Sequence, residues 1–244
     1  MEKQKEKGHI HPITYVINEI AQTLIEMGFE VALGPEMESE HYNFDVLNVP
    51  RDHPSRDMQD TFWIKGLKEM VLRTQTSSVQ GRYMETHKPP FKILVPGKVF
   101  RNEATDMTHD FQFFQIEGLV VGEGITLAHL KGTLNHYLRK LYGEDVQTQF
   151  RPGFFPFVEP GVEIDMVCFR CKGKGCPTCK QSGWIEILGA GMVHPNVLEA
   201  AGIDSKKNQG FAFGPGVERL AMLKYGVEDI RHFSSGDLRV VNQF

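Results

Sequence analysis

The chain has 244 residues, 41% hydrophobic and 24% charged, with a formal net charge of −4. That content suits one large domain or two small ones built on a real core, and it excludes a basic nucleic-acid wrapper. No apolar run approaches the roughly 20 residues needed to span a bilayer.

Residues 1–8 form a charged stub, Met1-Glu2-Lys3-Gln4-Lys5-Glu6-Lys7 and then Gly8. It lacks the apolar core of a signal peptide, so the expected address is the cytoplasm, with no membrane partner. Pro12 opens a helix with apolar residues at Ile13, Val16, Ile17, Ile20, Leu24 and Met27. This is the 3.6-residue period, closed by Gly28 as a C-cap. A strand is expected over Phe29 to Leu33, before Gly34-Pro35-Glu36. From Tyr42 to Asp60 the chain is polar and turn-rich, which suits an ordered loop over a site. Leu72 to Gln80 marks a strand-to-helix transition, and its Thr-Gln-Thr-Ser run serves a helix cap as readily as a ligand clamp.

The most telling stretch lies near the middle. Ile93, Val95, Val99 and Phe100 precede a loop, and Phe111 to Val121 follow it, all rich in β-formers. This predicts a long antiparallel hairpin whose wide connection holds Arg101, Glu103 and His109. On the returning strand Phe111, Phe113, Gln115 and Glu117 share one face. A face carrying aromatics beside an amide and a carboxylate makes a poor core, because unpaired buried polar groups are costly. It makes a good floor for a polar ligand with an aromatic part. Leu127 to Tyr142 reads as helix, and Phe154 to Pro160 as a short aromatic strand with Phe155 and Phe157 on one face.

All four cysteines, Cys168, Cys171, Cys176 and Cys179, fall in a C-x2-C-x4-C-x2-C array with glycines and a proline at the turns. In a cytosolic chain this spacing favours one tetrahedral Zn²⁺ over disulfides; a pair of redox dithiols, or vestigial knuckles that hold no metal, are the other arrangements it allows. A site closed by four thiolates would be structural. A strand is expected around Trp184 to Leu188. Gly210 to Leu223 then gives a strand, a glycine-rich turn and an apolar helix starting near Val217. Arg219 falls in the first turn of that helix, where backbone N–H groups already favour an anion. There is no GxxxxGK[ST] loop and no GxGxxG between a strand and a helix. Gly8-His9-Ile10-His11 echoes the class I synthetase signature, but no nucleotide-binding strand precedes it.

The run Phe100-Arg101-Asn102-Glu103, then Thr108-His109, then Phe113-Phe114-Gln115-Ile116-Glu117-Gly118 resembles motif 2 of the class II aminoacyl-tRNA synthetases. Its wording is similar to that of the bacterial-type phenylalanyl-tRNA synthetase alpha subunits. The resemblance extends over residues 9–244, with the first helix and strand similar to motif 1 and Gly210 to Leu223 similar to motif 3. It implies an α+β fold: an antiparallel sheet flanked by helices, with the four-cysteine zinc-knuckle hairpin, residues 168–183, inserted in the catalytic domain.

The implied activity is ATP-dependent activation of L-phenylalanine and its transfer to tRNA(Phe). A synthetase-like paralogue that forms an aminoacyl-adenylate without charging tRNA is the alternative. By motif match Arg101, Glu103 and Arg219 would be catalytic, and His109 and Phe113 would join them in binding ATP. Ser77, Gln80, Gln115 and Glu117 would take the amino acid's ammonium group. Phe155 and Phe157 would meet its ring, and Ala212 would close the ring pocket. Glu159 matches the position expected to hold Mg²⁺. A beta subunit is the implied partner, in a heterotetramer. Where the family commonly has Phe-His-Gln, this chain has Phe113-Phe114-Gln115, and residue 114 is expected to face away from the site. The family's N-terminal tRNA-gripping arm has no counterpart ahead of His9, so weak binding of tRNA by this chain alone is expected.

Overall fold

The computed structural model describes residues 8–57 and 60–244; most of the charged stub, residues 1–7, lies outside them. Helix α1 spans Pro12–Glu26, with Ile13, Val16, Ile20 and Leu24 buried along one stripe. His11 caps its start, the ring accepting from the Ile13 amide at 3.3 Å. Gly28, at φ +87, occupies the left-handed position after the end. There the Phe29 amide donates to the Leu24 carbonyl and the Gly28 amide to that of Ile25, at 3.1 and 2.9 Å.

The strand expected over Phe29 to Leu33 is reduced to β1, Glu30–Val31. A short parallel pairing with β4, Phe91–Phe100, is its single ladder, at the sheet edge. Strands β2 (Met37–Ser39) and β3 (Met70–Leu72) form a separate antiparallel pair, with the short helix α2, Glu40–Asn43, after β2. Helix α3, Ser78–Thr86, follows β3 through an irregular bend.

The predicted hairpin is β4 with β5, Gln112–Gly122, in unbroken antiparallel register from Phe91↔Val121 to Phe100↔Gln112. Helix α4, Leu127–Tyr142, matches the expected bounds. Strands β6 (Thr148–Phe155), β7 (Val158–Val167), β8 (Trp184–Val193) and β9 (Gln209–Pro215) complete a seven-stranded sheet of order β1-β4-β5-β9-β8-β7-β6. The aromatic run expected as one strand over Phe154 to Pro160 is split by a turn: Phe154 and Phe155 end β6, Pro156 and Phe157 make the corner, and Val158 opens β7. Pro156 lacks the N–H that a continuing ladder requires. The cysteine segment fills the β7–β8 connection. Helices α5 (Pro195–Ala200), α6 (Val217–Tyr225) and α7 (Leu238–Val241) account for the rest, with α6 beginning where sequence placed it. Among the described residues no helix is long and apolar enough to cross a membrane.

Strand alternation divides the sheet into two faces with different duties. Leu94, Ile116, Val120, Phe211 and Phe213 point to one face and form the main core with α1, α4 and α6. Gly118 lets the Phe213 ring lie across β5, since a Cβ there would come within 2.3 Å of that ring. Ile93, Val95, Leu119, Val121 and Ala212 point to the other face and pack with α3 and α5. The same face of β5 continues as Glu117, Gln115 and Phe113, and there the apolar layer gives way to a cleft.

Candidate active site

The cleft has a volume of about 680 Å³. Its floor is the polar end of β5. Glu117 is 4% exposed, and its two carboxylate oxygens accept from Ser77 Oγ at 2.7 Å and Gln80 Nε2 at 2.8 Å. Burial pushes its pKa up to about 7, against the pull of these donors and of the Arg73 charge. Gln115, one pleat away, accepts from the Thr76 amide at 3.1 Å. Gly214 on β9 leaves room for both: a Cβ there would lie 2.7 Å from Glu117 Cγ and 2.9 Å from Gln115 Nε2. Ser77 and Gln80 are thus bonded to Glu117, and Gln115, held by the Thr76 amide next to Ser77, completes the floor.

Above it stand Phe155 and Phe157, stacked with ring centroids 6.0 Å apart, and both line the cleft. Phe155 ends β6 and Phe157 lies in the turn that follows. Gly189 on β8 accommodates the Phe155 ring, which a Cβ would approach to 2.6 Å. Ala212 lines the same space, and its neighbours Phe211 and Phe213 belong to the core on the opposite face. Phe114 also packs towards that core, away from the cleft.

Two cations and a ring occupy the outer half. Arg101 lies deep among protein atoms yet open to the water of the cleft; desolvation lowers its pKa, with Glu103 and Glu117 opposing. Its guanidinium sits over the Phe113 ring at 5.0 Å and Nε donates to the Thr74 carbonyl at 3.3 Å. Arg219, in the first turn of α6, also lines the cleft, desolvated, with Nε donating to the Glu186 carbonyl at 3.3 Å. His109 lines it from the β4–β5 loop, with Nδ1 3.1 Å from the Asp106 carboxylate. Glu103 belongs to that loop as well, with its amide 2.9 Å from the Arg101 carbonyl, but its side chain does not line the cleft. Nor does Glu159. Its carboxylate is 75% exposed and 3.3 Å from His194 Nε2.

Several residues that sequence reasoning passed over shape the site. Glu186 lines the cleft beside Arg219, its pKa raised by burial and by Glu163 and Asp165. The loop expected over the site delivers Val49, His53 and Ser55 to it. Arg56 holds that loop: its guanidinium donates to Glu40 at 2.9 Å, to Asp45 at 2.8 Å and to the Val49 carbonyl. Arg73, 2% exposed, donates to the carbonyls of Lys98, Gly34 and Pro35 at 2.7, 3.1 and 3.3 Å. Gly97 makes room for it, since a Cβ there would fall 2.0 Å from Arg73 Nη2. Glu218, also buried, accepts from the Phe114 amide at 2.9 Å, and burial raises its pKa to about 7. It ties the start of α6 to β5. Arg56, Arg73 and Glu218 carry no local signal of their roles; Gly97 beside an expected strand is the nearest hint.

The four cysteines converge. Their Sγ atoms all lie within 4.8 Å of one another, and the pairs 168–176, 171–179 and 176–179 are each 3.7 Å apart. No disulfide joins them.

A mostly antiparallel sheet flanked by helices, with a two-arginine cleft opening on one face, is the class II tRNA synthetase arrangement. The fold of pyrrolysyl-tRNA synthetase from Desulfitobacterium hafniense superposes on it with a TM-score of 0.69, covering 92% of this chain and 73% of that one at 17% identity. The family described as the tRNA synthetases class II core domain (F) matches residues 1–244. Phenylalanine–tRNA ligase alpha subunits from Bacillus cytotoxicus and Anoxybacillus flavithermus are each 59% identical to this chain over 98% of its length, and it spans 70% and 69% of theirs. The chain belongs to the class II tRNA synthetases and, within them, to the family of phenylalanine–tRNA ligase alpha subunits.

Proposed function

We propose that this chain is the catalytic alpha-type chain of a phenylalanine–tRNA ligase. Residues 9–244 are its catalytic domain and the 168–183 hairpin is an insertion within it. It acts in the cytoplasm, in a heterotetramer with a beta subunit, on L-phenylalanine, ATP and tRNA(Phe). One observation carries the reading: a buried amide–carboxylate floor, Gln115 and Glu117, lies beneath a stacked phenylalanine pair, with Arg101 and Arg219 further out along the same cleft.

That arrangement suits an amino acid with an apolar ring and a free ammonium. Glu117 and Gln115 take the ammonium, oriented by Ser77 and Gln80. Phe155 and Phe157 meet the ring edge or face, and Ala212 closes its far end. The carboxylate oxygen of the amino acid then attacks the α-phosphorus of ATP. A P–O bond forms, the bond to the β-phosphate oxygen breaks, and pyrophosphate leaves. Little proton transfer is needed, so alignment and charge neutralisation supply the rate. Arg101 neutralises the α-phosphate and the attacking carboxylate with its planar fork. Phe113 offers its ring to adenine, with His109 and Glu103 at the loop above, and Arg219 takes the outer phosphates.

Magnesium, when bound, spreads the phosphate charge. One carboxylate plus substrate oxygens and water is a common Mg²⁺ set, and Glu186 lines the cleft beside Arg219 to supply it. Glu159, the position implied by resemblance, fits less well, because its exposed carboxylate lies outside the cleft beside His194. For the cysteines we propose Zn²⁺. A tetrahedral ion with sulfurs at about 2.3 Å sets them about 3.8 Å apart; three of the six pairs here are 3.7 Å apart and all lie within 4.8 Å. Such a site has no open position and would hold the hairpin's shape.

The test is phenylalanine-dependent ATP–pyrophosphate exchange, with and without added beta subunit, followed by tRNA charging. Exchange specific for phenylalanine and charging with the beta subunit present are expected. Exchange without charging would favour an adenylate-forming paralogue, and no exchange in either condition would refute the reading.

A further inference from the structure

The cysteine hairpin is not confined to its own corner of the molecule. Thr178 and Lys180 line the same cleft as Arg219 and Glu186. Lys180 directly follows Cys179, one of the most constrained residues of the knuckle. Cys179 Sγ accepts from the amides of Cys176 and Gly183 at 3.2 Å each, and the Lys180 amide donates to the Pro177 carbonyl at 3.1 Å. Lys180 itself sits at φ 50, ψ 40, a left-handed conformation in which glycine is the favoured residue. A lysine stands there all the same, and its ammonium makes no ion pair or side-chain hydrogen bond among the described residues.

The charge at this end of the cleft is incomplete for a polyphosphate. Arg219 is a desolvated cation with Glu186 as its carboxylate neighbour. ATP brings more negative charge than Arg101 and Arg219 neutralise. An ammonium with no ion pair among the described residues, on a flexible stem that lines the cleft, supplies the missing kind of contact: a mobile point charge that follows a departing phosphate.

We propose that the cysteine knuckle is a working part of the nucleotide site, delivering Lys180, with the Thr178 hydroxyl beside it, to the outer phosphates of ATP and to pyrophosphate as it leaves. The proposal rests on the ATP-dependent reading above. It gives the metal a role in substrate binding: Lys180 reaches the cleft because the sulfurs hold the turn.

The experiment uses the chain with its beta subunit and measures exchange kinetics for Lys180→Met, Lys180→Gly and Lys180→Arg. The glycine variant suits the left-handed backbone, so it removes charge without strain. The KM values for ATP and pyrophosphate should rise about tenfold in the Met and Gly variants and recover in the Arg variant, while the KM for phenylalanine stays within about twofold. Calorimetric titration of pyrophosphate gives a second readout: chelating the zinc should weaken binding to the level of Lys180→Met. Unchanged ATP and pyrophosphate KM values in variants of an active parent would overturn the proposal alone. In a parallel tRNA-charging assay, a rise confined to the KM for tRNA would overturn it too, by assigning Lys180 to the RNA. A parent with no exchange at all would overturn both the proposal and the ligase reading.

Discussion

Glu117→Gln separates stability from function at the floor of the cleft. Glu117 is buried, and a carboxyl whose pKa rises from 4.5 to about 7 costs roughly 3 kcal/mol to ionise in the folded state. Glutamine removes that penalty and keeps the contacts. Its carbonyl can accept from Gln80, and its amide can donate to Ser77 Oγ, because a hydroxyl serves as donor or acceptor. A net gain of roughly 1–3 kcal/mol is expected at pH 8, raising Tm by about 2–8 °C for a domain of this size. The sign of the pH dependence follows. The folded protein holds the Glu117 proton more tightly than the unfolded chain does, so this group's contribution to stability falls as pH rises from 4.5 to about 7. The variant has no such loss. The Tm gap should therefore be absent near the low end of that window, open across it, and hold above it. Glu218, with its own pKa near 7, leaves a residual slope in both proteins. Activity should move the other way. Losing the charge partner of a buried ammonium lowers kcat/KM for phenylalanine by about 10²–10³. Thermal unfolding across pH and phenylalanine-dependent exchange are the assays. A variant less stable than the parent at pH 8, or one whose exchange stays within about tenfold, would refute the reasoning.

Other outcomes follow from the same geometry. Arg101→Ala should lose exchange by several orders of magnitude, equivalent to about 3–5 kcal/mol of transition-state stabilisation, with little change in Tm; activity within about tenfold of the parent would remove Arg101 from the chemistry. Elemental analysis of protein purified under reducing conditions should find one zinc per chain, and chelation should speed amide exchange in 168–183 while β4 and β5 stay protected. Gly97→Ala should displace the Arg73 guanidinium from its three carbonyls and destabilise by about 2–4 kcal/mol; in an Arg73→Ala background the same change should cost much less, and an additive double-mutant cycle would contradict the clash. Ala212→Gly should raise the specificity constant for para-chlorophenylalanine relative to phenylalanine by the equivalent of about 1–3 kcal/mol; an unchanged ratio would show that Ala212 does not close the ring pocket.

Where periodicity carries the information, the fold was legible. The β4–β5 hairpin, α4 and the start of α6 lie where apolar spacing puts them, and alternation along β5 separates Gln115 and Glu117 from Ile116. Pattern reading went wrong where neighbours decide. Phe29 to Leu33 has strand composition, but at a sheet edge only Glu30 and Val31 find partners. Phe154 to Pro160 has strand composition too, but it is two strand ends, with the corner at Pro156 and Phe157, where the proline lacks an N–H for the ladder. Arg56, Arg73, Glu186 and Lys180 were missed for a shared reason. A single charged residue in an irregular segment looks like a solvated one until distant chain closes around it. Arg73 becomes a buried cation only because Gly34, Pro35 and Lys98 bring carbonyls to it from two other segments.

That closure is concentrated in five consecutive residues with no periodic pattern, Arg73 to Ser77. The Arg73 amide donates to the Glu36 carbonyl and its own carbonyl accepts from the Phe100 amide, both at 2.9 Å. Thr74 is bracketed by the buried Asn43 side chain, at 3.1 Å in both directions, and accepts from Arg101 Nε. Gln75 reaches the Asn43 carbonyl, the Thr76 amide fixes Gln115, and Ser77 fixes Glu117. Together these residues tie the loop after β1, α2, the end of β4 and the ammonium floor on β5 to one short span. A shift of that span would move Arg101 and Glu117 together, the group held for the α-phosphate and the group held for the amino acid. In-line attack requires those two to keep their spacing. Side chains set by one stretch of backbone keep it better than side chains set by separate loops. The same coupling gives a role to the buried Arg73, which makes no direct ion pair among the described residues: its carbonyl contacts hold the stretch in register with β4, which ends one residue before Arg101.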